Sequence, residues 1–232
     1  MTSPATEVSV AYFTMEAALE PSMPTYSGGL GILSGDTLRA SADVAVPQVA
    51  VTLLYRQGFF EQHLDASGHQ SESPQAWQPE DFLNPCDARV SIEIEGRSVV
   101  LTAWLYRVQG VTGHQVPVYL LDADLPENDP ADRALTGQLY GGDRRYRLRQ
   151  EAVLGLGGFA MLRALGYTGL RTFHMNEGHC SFLPLALLAE VSGNGEGIDA
   201  SPEAIEEVRK HCVFTTHTPV PAGHDWFDMG TV

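Results

Sequence analysis

The sequence predicts an α/β fold built on a parallel sheet buried on both faces. Two features carry that expectation. Val8 to Met15 and Gln48 to Tyr55 are short runs rich in β-branched and aromatic residues, and the second is almost continuously apolar, as in strands covered on both sides. Between them Gly31 to Val44 reads as a helix, with Leu30, Leu33, Leu38 and Ala42 on or near one face, so strand, turn, helix and strand make a βαβ unit.

The turn of that unit contains Pro24-Thr25-Tyr26-Ser27-Gly28-Gly29-Leu30-Gly31. Glycines without a Cβ let a ligand reach the main chain, and the unpaired N–H groups at the start of a helix favour negative charge. A phosphate or sugar site is expected there, with a plain tight turn as the alternative.

Glu61 to Pro85 is polar and proline-containing and reads as an excursion over the surface; Val90 to Ile94 and Val99 to Tyr106 around Glu95-Gly96 read as an inserted hairpin. Val116 to Leu121 is another buried strand, followed by Asp122, Asp124 and a loop running to Gly142. Arg145 to Leu165 is the longest helix, on the stripe Leu148, Ala152, Leu156, Phe159. Gly155, Gly157 and Gly158 inside it each cost about 1 kcal/mol against alanine, so another part of the chain must approach closely there. Arg171 to Met175 is a strand, Cys180 to Val191 a helix and Gly193 to Ala200 a flexible linker. Ser201 and Pro202 supply an N-cap and first helical residue for a helix to His211, and Val213 to Thr216 is the last strand. Gly223 to Val232 is an aromatic loop with no closing helix, so residues 1–232 are expected to form one incomplete domain of a longer polypeptide.

Composition narrows the function classes. A formal charge of −15, from 29 acidic and 14 basic side chains among 232 residues, repels nucleic-acid phosphates and anionic lipid. The one basic segment, Arg144 to Arg149, reads as a solvated helix start beside Asp143 and Glu151. Neither nucleic acid nor membrane is expected as a partner. Cys86, Cys180 and Cys212 are widely spaced, without a paired motif, which fits a reducing cytoplasm and excludes a disulfide framework or zinc knuckle. No apolar run reaches the roughly 18 residues of a membrane span, and the start of the chain lacks the basic region of a signal peptide.

Open α/β sheets place ligands at strand ends, and four strands here finish in polar residues: Met15-Glu16, Leu121-Asp122, Met175 to His179, and Thr215 to Thr218. Taken singly, each has a plainer reading: His217 as a partly buried structural histidine, Glu177 as a helix-terminal charge. His174, Glu177 and His179 lack the spacing of a zinc-peptidase motif, and no metal is expected. A GxSxG nucleophile elbow is absent. A dinucleotide fingerprint fails at Ser34, where its third glycine belongs.

Together the motifs resemble the α-glucan (glycogen, starch, maltodextrin) phosphorylases, in particular their compact bacterial and archaeal type. The matching segments are Ala11 to Glu16, Pro24 to Asp36, Leu54 to Gly58, Leu125 to Asn128, Leu139 to Asp143, Arg147 to Glu151, Asn176 to His179 and Thr215 to Asp225, in family order along nearly the whole chain. The resemblance implies most of the N-terminal Rossmann-like domain of a GT-B glycosyltransferase. Such an enzyme cleaves terminal α-1,4 linkages with inorganic phosphate, retains the anomeric configuration and releases α-glucose 1-phosphate.

Site residues follow from the same resemblance. Gly29, Leu30, Asp143 and His217 match catalytic positions, with Gly28 to Gly31 presenting main-chain N–H groups to phosphate and the glucosyl unit. Glu16, Gly28, Gly31, Glu177, His179 and Thr218 match positions that line the cleft and bind substrate. The cofactor implied is pyridoxal phosphate, acting through its phosphate; its Schiff-base lysine belongs to the family's second domain, and Lys210, the only lysine here, lies outside any cofactor motif. The isolated chain is therefore expected to be inactive. Partners implied are α-1,4-glucan or maltodextrin, inorganic phosphate, and either the second domain or further copies in a homo-oligomer. Two alternatives stand beside this reading. One is a non-catalytic α-glucan-binding module; the other is a nucleotide-sugar glucan synthase, disfavoured because Ser27 stands where its lysine precedes the glycine pair.

Overall fold

The computed structural model describes residues 7–75, 77–193, 197–220, 225–228 and 230. The expectations placed on Met1 to Thr6, on Asn194 to Glu196 and on much of the 221–232 loop fall outside the described residues.

Five strands run parallel: β1 (Val10–Thr14), β2 (Gln48–Leu53), β8 (Gln115–Asp122), β9 (Thr172–Asn176) and β10 (Cys212–Thr215). Their spatial order is β10-β9-β1-β2-β8, extended by antiparallel β7 (Arg97–Gln109) and then β5 (Asn84–Pro85). The order therefore reverses between β1 and β9. Chain progress runs outward from β1 in one direction and from β9 in the other, which opens a crevice at their carboxyl ends. Glu16 and Glu177 stand just beyond those two ends.

Alternate residues of the central strands face two separate cores. Phe13, Met15, Val49, Val51 and Leu53 pack against Val153, Leu154, Met161, Leu162, Leu183 and Leu187. Tyr12, Ala50, Leu54, Val118 and Leu120 pack against Leu38 and Ala42 of α1 (Gly29–Asp43) and against Leu83. Helical layers on both faces explain why these strands read as unbroken apolar runs.

The predicted hairpin is present as β6 (Val90–Ile94) against β7, but its long strand also pairs with β8 through eight registered residue pairs, Thr102 to Gln109, and so belongs to the main sheet. Within the polar excursion a small hairpin forms, β3 (Glu61–Leu64) with β4 (Gln70–Ser73). Its four-residue strands are almost wholly exposed, which removes the alternation of apolar and polar residues that marks a half-buried strand.

Past a short helix, α2 (Pro130–Arg133), the long helix runs as α3 (Arg144–Ala152), a π-turn (Val153–Gly157) and α4 (Gly158–Ala164). Its three glycines sit where close approach was expected. A Cβ on Gly155 lies 2.7 Å from the Leu183 main-chain nitrogen, one on Gly157 2.3 Å from Leu101 Cδ1, and one on Gly158 2.8 Å from Phe13 and Val51. The following helix, α5 (Leu183–Ser192), starts three residues later than expected, because Gly178–Cys180 form a 3-10 turn that carries His179 out of β9. In α6 (Pro202–His211), Ser201 Oγ accepts the Ala204 N–H at 3.3 Å, the expected cap. No helix among the described residues is long and apolar enough to cross a membrane.

Candidate functional site at the sheet switch point

Glu16, 2% exposed, ties the glycine loop to the end of β1. Its Oε2 accepts the N–H groups of Ser27 at 2.5 Å and Gly28 at 3.3 Å, while Oε1 accepts the Tyr140 hydroxyl at 3.0 Å. Ser34 Oγ donates to the Glu16 carbonyl at 2.5 Å from the second turn of α1. These bonds orient the start of α1, which no side chain caps. The helix therefore turns its positive end outward. Gly28 and Gly29 are exposed, and a Cβ on either meets nothing within 4 Å; on Gly31 it lies 2.3 Å from Tyr26 Cβ and 2.9 Å from Glu16 Oε2. Gly31 is thus glycine for packing, whereas Gly28 and Gly29 leave main chain open to solvent.

Glu177 performs the matching task at β9. Its backbone has φ 67 and ψ 176, a region that essentially only glycine adopts freely. Oε1 accepts the His217 N–H at 2.8 Å, the Thr218 N–H at 2.9 Å and the Thr218 hydroxyl at 2.9 Å; Oε2 accepts the Thr216 hydroxyl at 3.3 Å. Burial pushes this carboxyl up, but the hydrogen bonds from His217 and Thr218 outweigh it and hold the group below its ordinary value. Asn176 donates through Nδ2 to Thr14 Oγ1 at 3.1 Å, which leaves Oδ1 to accept from His217 Nε2 at 2.9 Å. The other ring nitrogen of His217, Nδ1, faces Glu177 Oε1 at 3.5 Å.

Tyr140 joins the two halves. Its hydroxyl reaches Glu16, and its ring lies 5.6 Å from the His179 ring. Beyond His179 a cavity of about 250 Å³ is lined by Glu151, Glu177, Gly178, His179, Ser181, Asp225 and Phe227. Arg147 Nη1 binds Asp225 Oδ1 at 2.7 Å. Burial pushes the Glu151 carboxyl up to about 8, helped by the Asp225 charge and opposed by Arg147. Burial lowers the His179 imidazole, against the pull of Asp225, Glu16 and Glu177.

Of the expected site residues, Glu16, Gly28, Gly29, Leu30, Gly31, Glu177, His179, His217 and Thr218 lie at the carboxyl ends of β1, β9 and β10. Asp143 is exposed and caps α3, accepting the Tyr146 N–H at 2.9 Å. Asp122 does not join them, although it was grouped with the other strand ends. It lies at the end of β8, on the far side of β2, and binds Arg56 Nη2 at 2.5 Å and Trp104 Nε1 at 3.1 Å. The arginine-rich helix start also departs from expectation, because Glu151 is 2% exposed and faces the cavity rather than solvent. Tyr140, Arg147, Glu151 and Asp225 were not singled out as site residues. All four fall within segments whose pattern drew attention, Leu139 to Asp143, Arg147 to Glu151 and Thr215 to Asp225, but nothing in the sequence marks Glu151 and Asp225, 74 positions apart, as neighbours.

Fold and site define a doubly wound α/β domain whose loops at the switch point are pinned by two buried carboxylates, Glu16 and Glu177. The chain is 41% identical over 236 residues to a glycogen phosphorylase of Mycobacterium tuberculosis, covering 96% of this chain and 26% of that protein. It is 38% identical over 236 residues to a maltodextrin phosphorylase of Thermococcus litoralis, covering 99% of this chain and 27% of that protein. With a glycogen phosphorylase of Aquifex aeolicus the identity is 34% over 217 residues, 91% of this chain and 30% of that protein. No family model matches the chain. The chain spans about a quarter of the length of the first two of these relatives.

Proposed function

We propose that this chain supplies the glucan- and phosphate-facing N-terminal lobe of a GT-B α-glucan phosphorylase, working in the cytoplasm on glycogen or maltodextrin. One observation carries the reading: two strand ends flanking the switch point each use a buried carboxylate to hold a loop, Ser27 to Gly31 on one side and Thr216 to Thr218 on the other. Similarity to glycogen and maltodextrin phosphorylases along 91–99% of the chain supports it.

In this reading the open amides at Gly29 and Leu30 face an anion, the substrate phosphate or the charge developing on the transferred glucosyl unit, Gly31 packs the loop against Tyr26 and Glu16, and His217 lies beside the sugar ring. Donors fixed in advance stabilise such charge without reorganising. Asp143, Glu177, His179 and Thr218 form the surrounding wall, and Glu16 sets the loop from behind.

Pyridoxal phosphate, which the resembling enzymes use, does not fit the residues of this chain. Its attachment needs a lysine amine, and Lys210 is exposed on α6, bound to Glu207 at 2.7 Å. The cofactor and the cationic grip on inorganic phosphate belong to a second lobe in this reading, so the 232-residue chain alone does not turn over. Calorimetry with maltopentaose separates the alternatives. Affinity without turnover on this chain alone favours a glucan-binding module, whereas binding and release of glucose 1-phosphate only with a lysine-bearing second lobe favour the enzyme half.

A further inference from the structure

We propose that a cavity at the amino-terminal edge of the sheet binds a small carboxylate with an apolar body, its charged head held by Arg107 and by the hydroxyl pair of Tyr119 and Tyr167. The cavity measures about 570 Å³, a size that accommodates a small molecule. It opens where the parallel strands begin: Val8 precedes β1, Gln48 starts β2, and Gln115 and Pro117 lie at the start of β8. The crevice that holds Gly29 and His217 is at the carboxyl ends of these strands, so the two sites are on opposite edges of the sheet.

Strand register builds the wall. Leu105 and Arg107 alternate on β7 and pair with Tyr119 and Pro117 of β8, so all four side chains stand on one face of the sheet. Leu165 and Tyr167, just beyond α4, complete that side of the lining. The rings of Tyr119 and Tyr167 meet edge to face with centroids 5.9 Å apart, and their hydroxyls share a hydrogen bond of 3.1 Å. That bond uses one of the two phenolic protons. The other has no acceptor among the described residues, although both side chains are more than nine-tenths buried. Burial raises both phenols, so each keeps its proton at neutral pH and remains a donor. Arg107 adds an exposed guanidinium whose charge bears on both hydroxyls and which makes no ion pair or hydrogen bond among the described residues. Donors in surplus call for a guest that accepts, and a carboxylate takes guanidinium and hydroxyl bonds together. Glu7 is the one carboxylate among the lining residues, and His114 commits its Nε2 to the Val46 carbonyl at 3.0 Å. Leu105, Pro117 and Leu165 offer apolar surface, which selects an anion with a hydrocarbon body over a bare ion.

The test titrates the whole chain calorimetrically with phenylacetate, with phenethyl alcohol and with inorganic phosphate. Phenylacetate should fill a single site at least about tenfold more tightly than the alcohol, which lacks the charge, or phosphate, which lacks the apolar body. Arg107→Gln should weaken phenylacetate at least about tenfold, since a hydrogen bond to a charged group is worth that much. The double variant Tyr119→Phe with Tyr167→Phe, which removes both donors and strands neither hydroxyl, should do the same. In amide NMR spectra Gln115 and Tyr167 should shift with phenylacetate, while Gly29 and His217 stay in place. Should the double variant fail to fold by circular dichroism, Arg107→Gln, exposed on β7, decides alone. No saturable binding, alcohol or phosphate as tight as phenylacetate, unchanged affinity in a folded variant, or shifts confined to Gly29 and His217 would each overturn the proposal. None of these readouts depends on glucan binding or turnover.

Discussion

The Glu177 carboxylate accepts the main-chain N–H of His217 at 2.8 Å across 40 residues of sequence, and so joins the end of β9 to the loop that follows β10. Replacing it with glutamine keeps the size but removes the charge and turns one oxygen into a donor. Glu177→Gln should lower stability by about 1.5–3 kcal/mol, the worth of hydrogen bonds to a charged group. Urea unfolding of the two proteins side by side measures it, and equal midpoints at equal slope would show that the loop is held by other contacts.

The same carboxyl has an acid signature. Its folded value is depressed, so its stabilisation is fully present above the ordinary value of about 4.3 and disappears as pH falls through the depressed one. The stability gap between wild type and Glu177→Gln should be constant from pH 7 to 5 and close below about pH 4. A gap unchanged at pH 3 contradicts the assignment.

Alanine at the helix glycines should destabilise despite its better helix propensity. At Gly155 the new methyl meets main chain, the Leu183 nitrogen at 2.7 Å, whereas at Gly157 it meets the tip of a leucine side chain. Gly155→Ala should cost about 1–3 kcal/mol, the usual result of overpacking, and Gly157→Ala less. Thermal unfolding gives the order.

Gly29 and Gly31 should separate function from packing. Gly31→Ala drives a methyl against Tyr26 and Glu16 and should lower the melting temperature. Gly29→Ala meets nothing within 4 Å and should leave stability unchanged or raise it by under about 1 kcal/mol. Under the proposed function its methyl stands where a ligand reaches the amides, so binding of phosphate or maltopentaose should weaken at least tenfold, read by calorimetry on the form that binds. Undiminished binding in Gly29→Ala removes that loop from the ligand site.

The parallel strands were legible because burial on both faces writes itself as unbroken apolar runs, as in Gln48 to Leu53 and Gln115 to Asp122. Gly155, Gly157 and Gly158 announced a close approach because three poor helix formers in one helix need a steric reason. β3 and β4 were invisible for the opposite cause: exposed strands of Gln, Glu and Ser bury no pattern. Asp122 was grouped with the other polar strand ends, since polarity there does not reveal which side of the sheet's reversal the strand occupies. Glu151 hid in a helix start that looked solvated among four arginines, and only the packing of Asp225 and His179 against it exposes its setting.

The most direct measurement assays this chain together with a lysine-bearing second lobe for glucose 1-phosphate released from maltopentaose and inorganic phosphate. The account predicts release by the wild type and a loss of about 100-fold or more in both Gly29→Ala and His217→Ala, with folding intact by circular dichroism. Undiminished release in either variant, or none from the wild type, contradicts it.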